Sequence, residues 1–94
     1  MIQSFKCKET KKVFQGLLSR KFPSEIQARA FIKLAAIHAS VSINDLKSPP
    51  SNFLESLKGD REGQHSIRIN DKYRICFIWN ESNADDVEIV DYHS

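Results

Sequence analysis

The sequence predicts an α+β domain of the form β-α-α-β-β-β-β, with two N-terminal helices packed on one face of an antiparallel sheet. Two observations carry this. Apolar residues recur at helical spacing before Pro49 and Pro50, and at a period of two after them. A third observation limits the size: 94 residues, 40% apolar and 28% charged, build one modest core, so residues 1–94 are read as a single domain.

Each element has its own signal. In residues 1–5, Ile2 and Ser4 alternate with Gln3 and Phe5, which predicts a brief strand. From Glu9 onward, Val13, Phe14, Leu17 and Leu18 recur at helical spacing among lysines, predicting a first helix to about Ser19. Pro23 interrupts the chain. Ser24, with Gln27 three residues on, has a capping-box pattern, and Ile26, Ala30, Leu34, Ile37 and Val41 fall on one face of a second helix. Residues 47–52, Lys-Ser-Pro-Pro-Ser-Asn, end the helical half, because proline lacks an amide hydrogen and restricts its predecessor. A strand at 53–57 precedes the loop at 59–63. Residues 64–69 and 73–79 alternate as strands, and a three-residue loop at 70–72 keeps their apolar faces together, setting Ile69 against Tyr73 and Ile67 against Ile75. A two-residue loop would set arginine against isoleucine. A polar turn at 80–85 leads to a last strand at about 87–92. The helices cover one sheet face, and the other is left open.

Composition narrows the classes. The longest apolar run, Ile75-Cys76-Phe77-Ile78-Trp79, has five residues where a membrane helix needs about 20. Residues 1–8 lack the apolar stretch of a secretory signal, so a cytoplasmic protein with no membrane partner is expected. Two cysteines, Cys7 and Cys76, are too few for a disulfide scaffold and are read as reduced thiols. Net charge is +2, but residues 1–33 carry eight basic and two acidic side chains. Such a flank suits a polyanion or an acidic partner, or is simply a solvated helix face.

The chemistry-bearing residues are few. No phosphate-binding glycine loop, paired zinc cysteines or serine elbow is present, and His38, His65 and His93 have no ligand spacing, so neither a metal nor a cofactor is expected. The hairpin register sets Arg68 directly opposite Arg74, which is unfavourable unless something anionic lies between them. His38 reads as the edge of a helix face and His65 as a half-buried imidazole. His93 closes Asp91-Tyr92-His93, either a frayed chain end or a carboxylate, phenol and imidazole gathered at a strand terminus.

Three separated segments, Leu57-Lys58-Gly59-Asp60-Arg61-Glu62-Gly63, Ser66-Ile67-Arg68-Ile69-Asn70 leading to Tyr73-Arg74-Ile75, and Glu88-Ile89-Val90-Asp91-Tyr92-His93, together with the opening Met1-Ile2-Gln3-Ser4-Phe5, resemble HigB-type toxins. These are also called killer or GraT-like proteins, of the RelE/ParE superfamily of type II toxin-antitoxin systems. The likeness runs almost end to end. It implies the RelE-like fold and a ribosome-dependent endoribonuclease that cuts translated messenger RNA. It also implies neutralisation by a helix-turn-helix, HigA-like antitoxin that carries the complex to operator DNA.

Cleavage by 2′-hydroxyl attack on the adjacent phosphate needs a base, cations around the crowded phosphorane and an acid for the leaving oxygen, with no metal strictly required. On this reading Arg68 and Arg74 clamp phosphate and Lys58 adds a point charge. Asp91 and His93 are the acid and base candidates, and Tyr92 stacks on a base or steadies a phosphate. Arg61 either joins the grip on RNA or is compensated by Asp60 and Glu62 on a surface loop. Glu55 stands where several family members have histidine; it could act as a base but repels phosphate, which predicts a weak or moderate toxin. Lys8, Lys11, Lys12, Arg20 and Lys21 are the expected antitoxin contacts. Two other functions stay open: a ParE-like, non-enzymatic gyrase inhibitor, and a catalytically weak homologue that mainly completes a repressor complex with the antitoxin.

Overall fold

The computed structural model describes residues 1–91. Its two α-helices are α1, Lys8–Phe14, and α2, Ser24–Ala39. Four strands follow, β1 Glu55–Ser56, β2 His65–Arg68, β3 Tyr73–Asn80 and β4 Asn83–Asp91, joined as an antiparallel sheet in the order β1-β2-β3-β4. Short 3₁₀ turns occupy Ile43–Lys47, Pro50–Asn52 and Gly59–Arg61.

Alternation in the strands and the helical repeat meet in one core. Ile26, Ala30, Leu34 and Ile37 of α2 are buried with Ile67, Ile75, Phe77, Val87 and Ile89 of the sheet. The β2–β3 register is the one predicted, with Ile67 opposite Ile75 and Arg68 opposite Arg74, and the Ile69 amide donates to the Tyr73 carbonyl at 2.9 Å. Asn70 shapes the intervening loop, its Oδ1 accepting from the amides of Lys72 and Tyr73 at 2.9 and 2.7 Å.

Several expectations are corrected. α1 stops at Phe14 and not near Ser19, because Gly16 turns the chain with φ of +82°; Leu17 and Leu18 lie beyond it, exposed, off the core. Val41 follows the end of α2 and is 70% exposed. Ser24 does not cap α2. It is the first helical residue, and Gln27 instead ties the preceding linker down, its Oε1 accepting from the Ser19 amide at 3.0 Å and its Nε2 donating to the Ser19 and Phe22 carbonyls. The capping box belongs to Ser42 and Asp45, where amide donors to the Asp45 carboxylate lower its pKa. The strand expected at 53–57 shrinks to Glu55–Ser56, and β4 begins at Asn83, so the preceding turn is shorter than the predicted 80–85.

The N-terminal segment forms no ladder of its own. Ile2 and Phe5 make isolated bridges to Ala84 and Val87, and they run parallel to β4. β4 is bulged there: between Cys76–Glu88 and Ile78–Asp85 it carries one extra residue, with Asp86 at φ of +52°. The amides of Asp86 and Val87 then donate to Ser4 Oγ and Ser4 O. His38 Nδ1 accepts from the Ile2 amide at 3.1 Å, fixing the segment to α2.

Candidate functional site on the outer sheet face

The face turned away from the helices carries Ser66 and Arg68 of β2, Arg74 and Cys76 of β3, and Glu88 of β4, since these alternate with the core residues. It is less open than expected: Ser66 and Cys76 at its centre are fully buried. The turn Gly59–Arg61 brings Arg61 over this face. With Gly59 and Gly63 at φ of +69° and +93°, the chain folds back so that Arg61 reaches across β2 and β3 and its Nη1 donates to Glu88 Oε1 at 3.0 Å and Gln64 Oε1 at 3.1 Å. Arg61 is therefore paired through the fold, and not with Asp60 or Glu62 beside it in sequence.

The cross-strand arginines have carboxylate neighbours. Arg74 Nη1 lies 3.4 Å from Glu55 Oε1, and Arg68 pairs with Asp71 at the tip of the hairpin. These pairs offset the repulsion that the register alone would impose. Burial pushes the Cys76 thiol pKa up, against the opposing fields of Arg61 and Arg74, while Glu88 adds to the rise. Three guanidiniums with exchangeable carboxylate partners give this face the means to bind phosphate, provided the anion displaces the carboxylates.

The other candidates are distributed around this face. Glu55 is exposed on β1, and Lys58 is exposed where the Gly59–Arg61 turn begins. Asp91 ends β4 opposite Tyr73, on the helix side by alternation, with its Oδ2 3.6 Å from Lys72 Nζ. Around the edge of β4 it shares a cleft of about 400 Å³ with Lys21, Tyr73, Arg61 and Glu88, so the two sides meet there. Tyr92 and His93 lie outside the described residues. Among the described residues no group of three or more His, Cys, Asp or Glu side chains is placed to hold a metal ion.

Sequence reasoning missed Glu88 and Asp71 as arginine partners. Asp71 had a signal, three residues after Arg68 in a tight hairpin; Glu88 had none, being 27 residues from Arg61. Lys8, Lys11, Lys12, Arg20 and Lys21 are all exposed on α1 and the linker after it. Lys12 sits 3.3 Å from Glu9, and Lys21 Nζ donates to Cys7 Sγ at 3.4 Å. Both cysteines are free thiols. Among the described residues no helix is long and apolar enough to cross a membrane.

Comparison with known proteins agrees with this architecture. Residues 3–93 match the model of the HigB-like toxin family, described as the RelE-like toxin of the type II toxin-antitoxin system HigB. The chain is 42% identical over 65 residues to Toxin HigB-1 of Vibrio cholerae, covering 69% of this chain and 68% of that protein. It is 34% identical over 93 residues to Endoribonuclease HigB of Proteus vulgaris, covering 99% and 100% of the two. Among solved structures, a chain of the heterotetrameric YoeB-YefM toxin-antitoxin complex from Staphylococcus aureus superposes with a TM-score of 0.62 at 20% identity, over 100% of this chain and 97% of that one.

Proposed function

Because the chain belongs to the HigB-like family of RelE-like type II toxins, we propose that it is an endoribonuclease acting, as one domain over residues 1–94, on messenger RNA held by the ribosome in the cytoplasm. One observation supports this most: Arg68 opposite Arg74 on the outer sheet face, with Arg61 reaching over the same face from the turn. In the proposed reaction the ribose 2′-hydroxyl attacks the adjacent phosphorus, the P–O5′ bond breaks, and a 2′,3′-cyclic phosphate and a 5′-hydroxyl result. Arg68, Arg74 and Arg61 bind the phosphate oxygens and stabilise the added charge, with Lys58 as a further cation. Asp91 and His93 divide the base and acid roles, and Tyr92 positions the nucleotide. This scheme assigns no step to a metal.

A helix-turn-helix antitoxin of the HigA kind is proposed to neutralise the toxin by docking acidic side chains on Lys8, Lys11, Lys12, Arg20 and Lys21, and to carry the complex to operator DNA. The Glu55–Arg74 contact favours one second reading, a weakened nuclease whose main role is in that repressor complex.

Primer extension on a defined messenger RNA in a purified translation system tests the proposal, comparing wild type with Asp91→Ala and His93→Ala. Discrete cuts that require ribosomes and vanish in both variants are expected. No cuts at any wild-type concentration would overturn the nuclease reading, and topoisomerase inhibition in its place would identify a gyrase inhibitor.

A further inference from the structure

Arg68 also belongs to a second feature. At the hairpin end of the sheet a cleft of about 760 Å³ opens between α2 and the loop before β1, lined by Arg29, Lys33, Phe53, Arg68 and Asn70 among others. It holds three cations against the single carboxylate of Asp71. Arg29 and Lys33 stand one helical turn apart on α2, a like-charge spacing that costs stability in an isolated helix. Each is held in place by a neutral acceptor: Arg29 Nη1 donates to the Ile69 carbonyl at 3.2 Å, and Lys33 Nζ donates to Asn52 Oδ1. Burial, and then the nearby Arg29, lower the Lys33 pKa, an effect that a bound anion would relieve.

Phe53 is the second observation. It sits in the left-handed region at φ of +45°, a strained conformation for a bulky side chain, and is 51% exposed. Its ring lies 5.1 Å from the Arg68 guanidinium. An exposed aromatic face beside a cation is the arrangement that receives a base and the phosphate next to it.

We propose that this cleft is a second subsite for single-stranded RNA, in which a base stacks on Phe53 and the neighbouring phosphates engage Arg29, Lys33 and Arg68. Arg68 joins the two regions, so a strand gripped by the Arg68–Arg74 pair continues into the cleft without leaving the protein. That continuity favours RNA over an acidic peptide as the occupant. The inference rests on the reading that RNA is the substrate.

The test is fluorescence anisotropy with a short single-stranded RNA whose riboses are all 2′-O-methylated, so that it cannot be cut, run beside cleavage of messenger RNA on ribosomes. Phe53→Gly removes the ring while suiting the positive φ, and should weaken binding about tenfold. Phe53→Tyr, which keeps a ring, should bind like wild type. Lys33→Gln should weaken binding and reduce the slope of log affinity against log salt by about 0.7. If wild type cuts messenger RNA and binds the probe but Phe53→Gly and Lys33→Gln do both equally well, the subsite is wrong and the nuclease reading stands. If wild type neither cuts nor binds, both fall. Absence of probe binding by a wild type that does cut also overturns the subsite. Loss of antitoxin affinity in these variants, with RNA binding intact, would make the cleft a protein-docking surface and overturn it too.

Discussion

Glu55 and Arg74 illustrate how a single side chain can set the strength of a phosphate site. The carboxylate lies 3.4 Å from a guanidinium proposed to bind the scissile phosphate, and it is itself exposed, so the pair is weak and easily displaced. An anionic substrate must nevertheless compete with it. Glu55→Gln and Glu55→His should each raise the rate of the proposed ribosome-dependent cleavage about two- to fivefold, the range an exposed ion pair of up to about 1 kcal/mol allows. An equal rate would show that the Glu55–Arg74 pair does not compete with phosphate, and slower cleavage by Glu55→Gln would fit a catalytic base at Glu55. The two thiols differ in the same residue-level way. For Cys7, burial opposes ionisation, but hydrogen bonds from the Thr10 and Glu9 amides, the Thr10 side chain and Lys21 outweigh it and lower the pKa, whereas burial raises that of Cys76. Iodoacetamide at neutral pH should therefore label Cys7 alone in the folded protein and both in denaturant. Labelling of Cys76 at a comparable rate would mean that the Gly59–Arg61 turn opens readily. The Arg68–Arg74 pair was legible in the sequence because hairpin register follows from alternation and loop length. The carboxylate partner of Arg74 was not, since Glu55 and Arg74 meet only when β1 joins the sheet beside β2.

At the scale of elements, α1 shows how a helical pattern can outrun its helix. Leu17 and Leu18 continue the spacing of Val13 and Phe14, but Gly16 stands between them, and a glycine just past a helix end is itself a stop signal. Gly16→Ala should destabilise the protein by about 1 kcal/mol, from backbone strain alone, because nothing crowds the added methyl group. Calorimetry that shows no fall in Tm would contradict the assigned turn. The short α1 is held by one buried hydrogen bond in which Thr10 Oγ1 accepts the Ile89 amide at 3.0 Å. Thr10→Val preserves the shape and leaves that amide without a partner, so a loss of about 1–3 kcal/mol is expected in denaturant unfolding. A neutral result would require water to reach the amide. α2 and the β2–β3 hairpin were readable because their patterns are long enough to be unambiguous. The bulge in β4 was not, because Asp86 takes its positive φ only against Ser4 and β3.

Across the whole molecule, charge is divided. Residues 1–33 hold eight of the 14 basic side chains, and α1 with its linker displays Lys8, Lys11, Lys12, Arg20 and Lys21 on the surface. If these face an acidic antitoxin, association should slow as salt rises, since the screening length falls from about 10 Å at 0.1 M to about 3 Å at 1 M. Lys11→Glu with Lys12→Glu should lower the association rate further. An on-rate independent of salt would place the antitoxin elsewhere, for instance on the exposed apolar groove at Leu17, Leu18, Phe31 and Ile32.

The pairing of the N-terminal segment with β4 also has a consequence in time. Residues 2–5 find their partners only at Ala84 and Val87, the Met1 amino group donates to the Ser82 carbonyl, and Thr10 waits for Ile89. A chain emerging from the ribosome exposes these first residues while their partners are still untranslated. Contacts this distant in sequence form late. The growing polypeptide accordingly stays unfinished until β4 has left the exit tunnel.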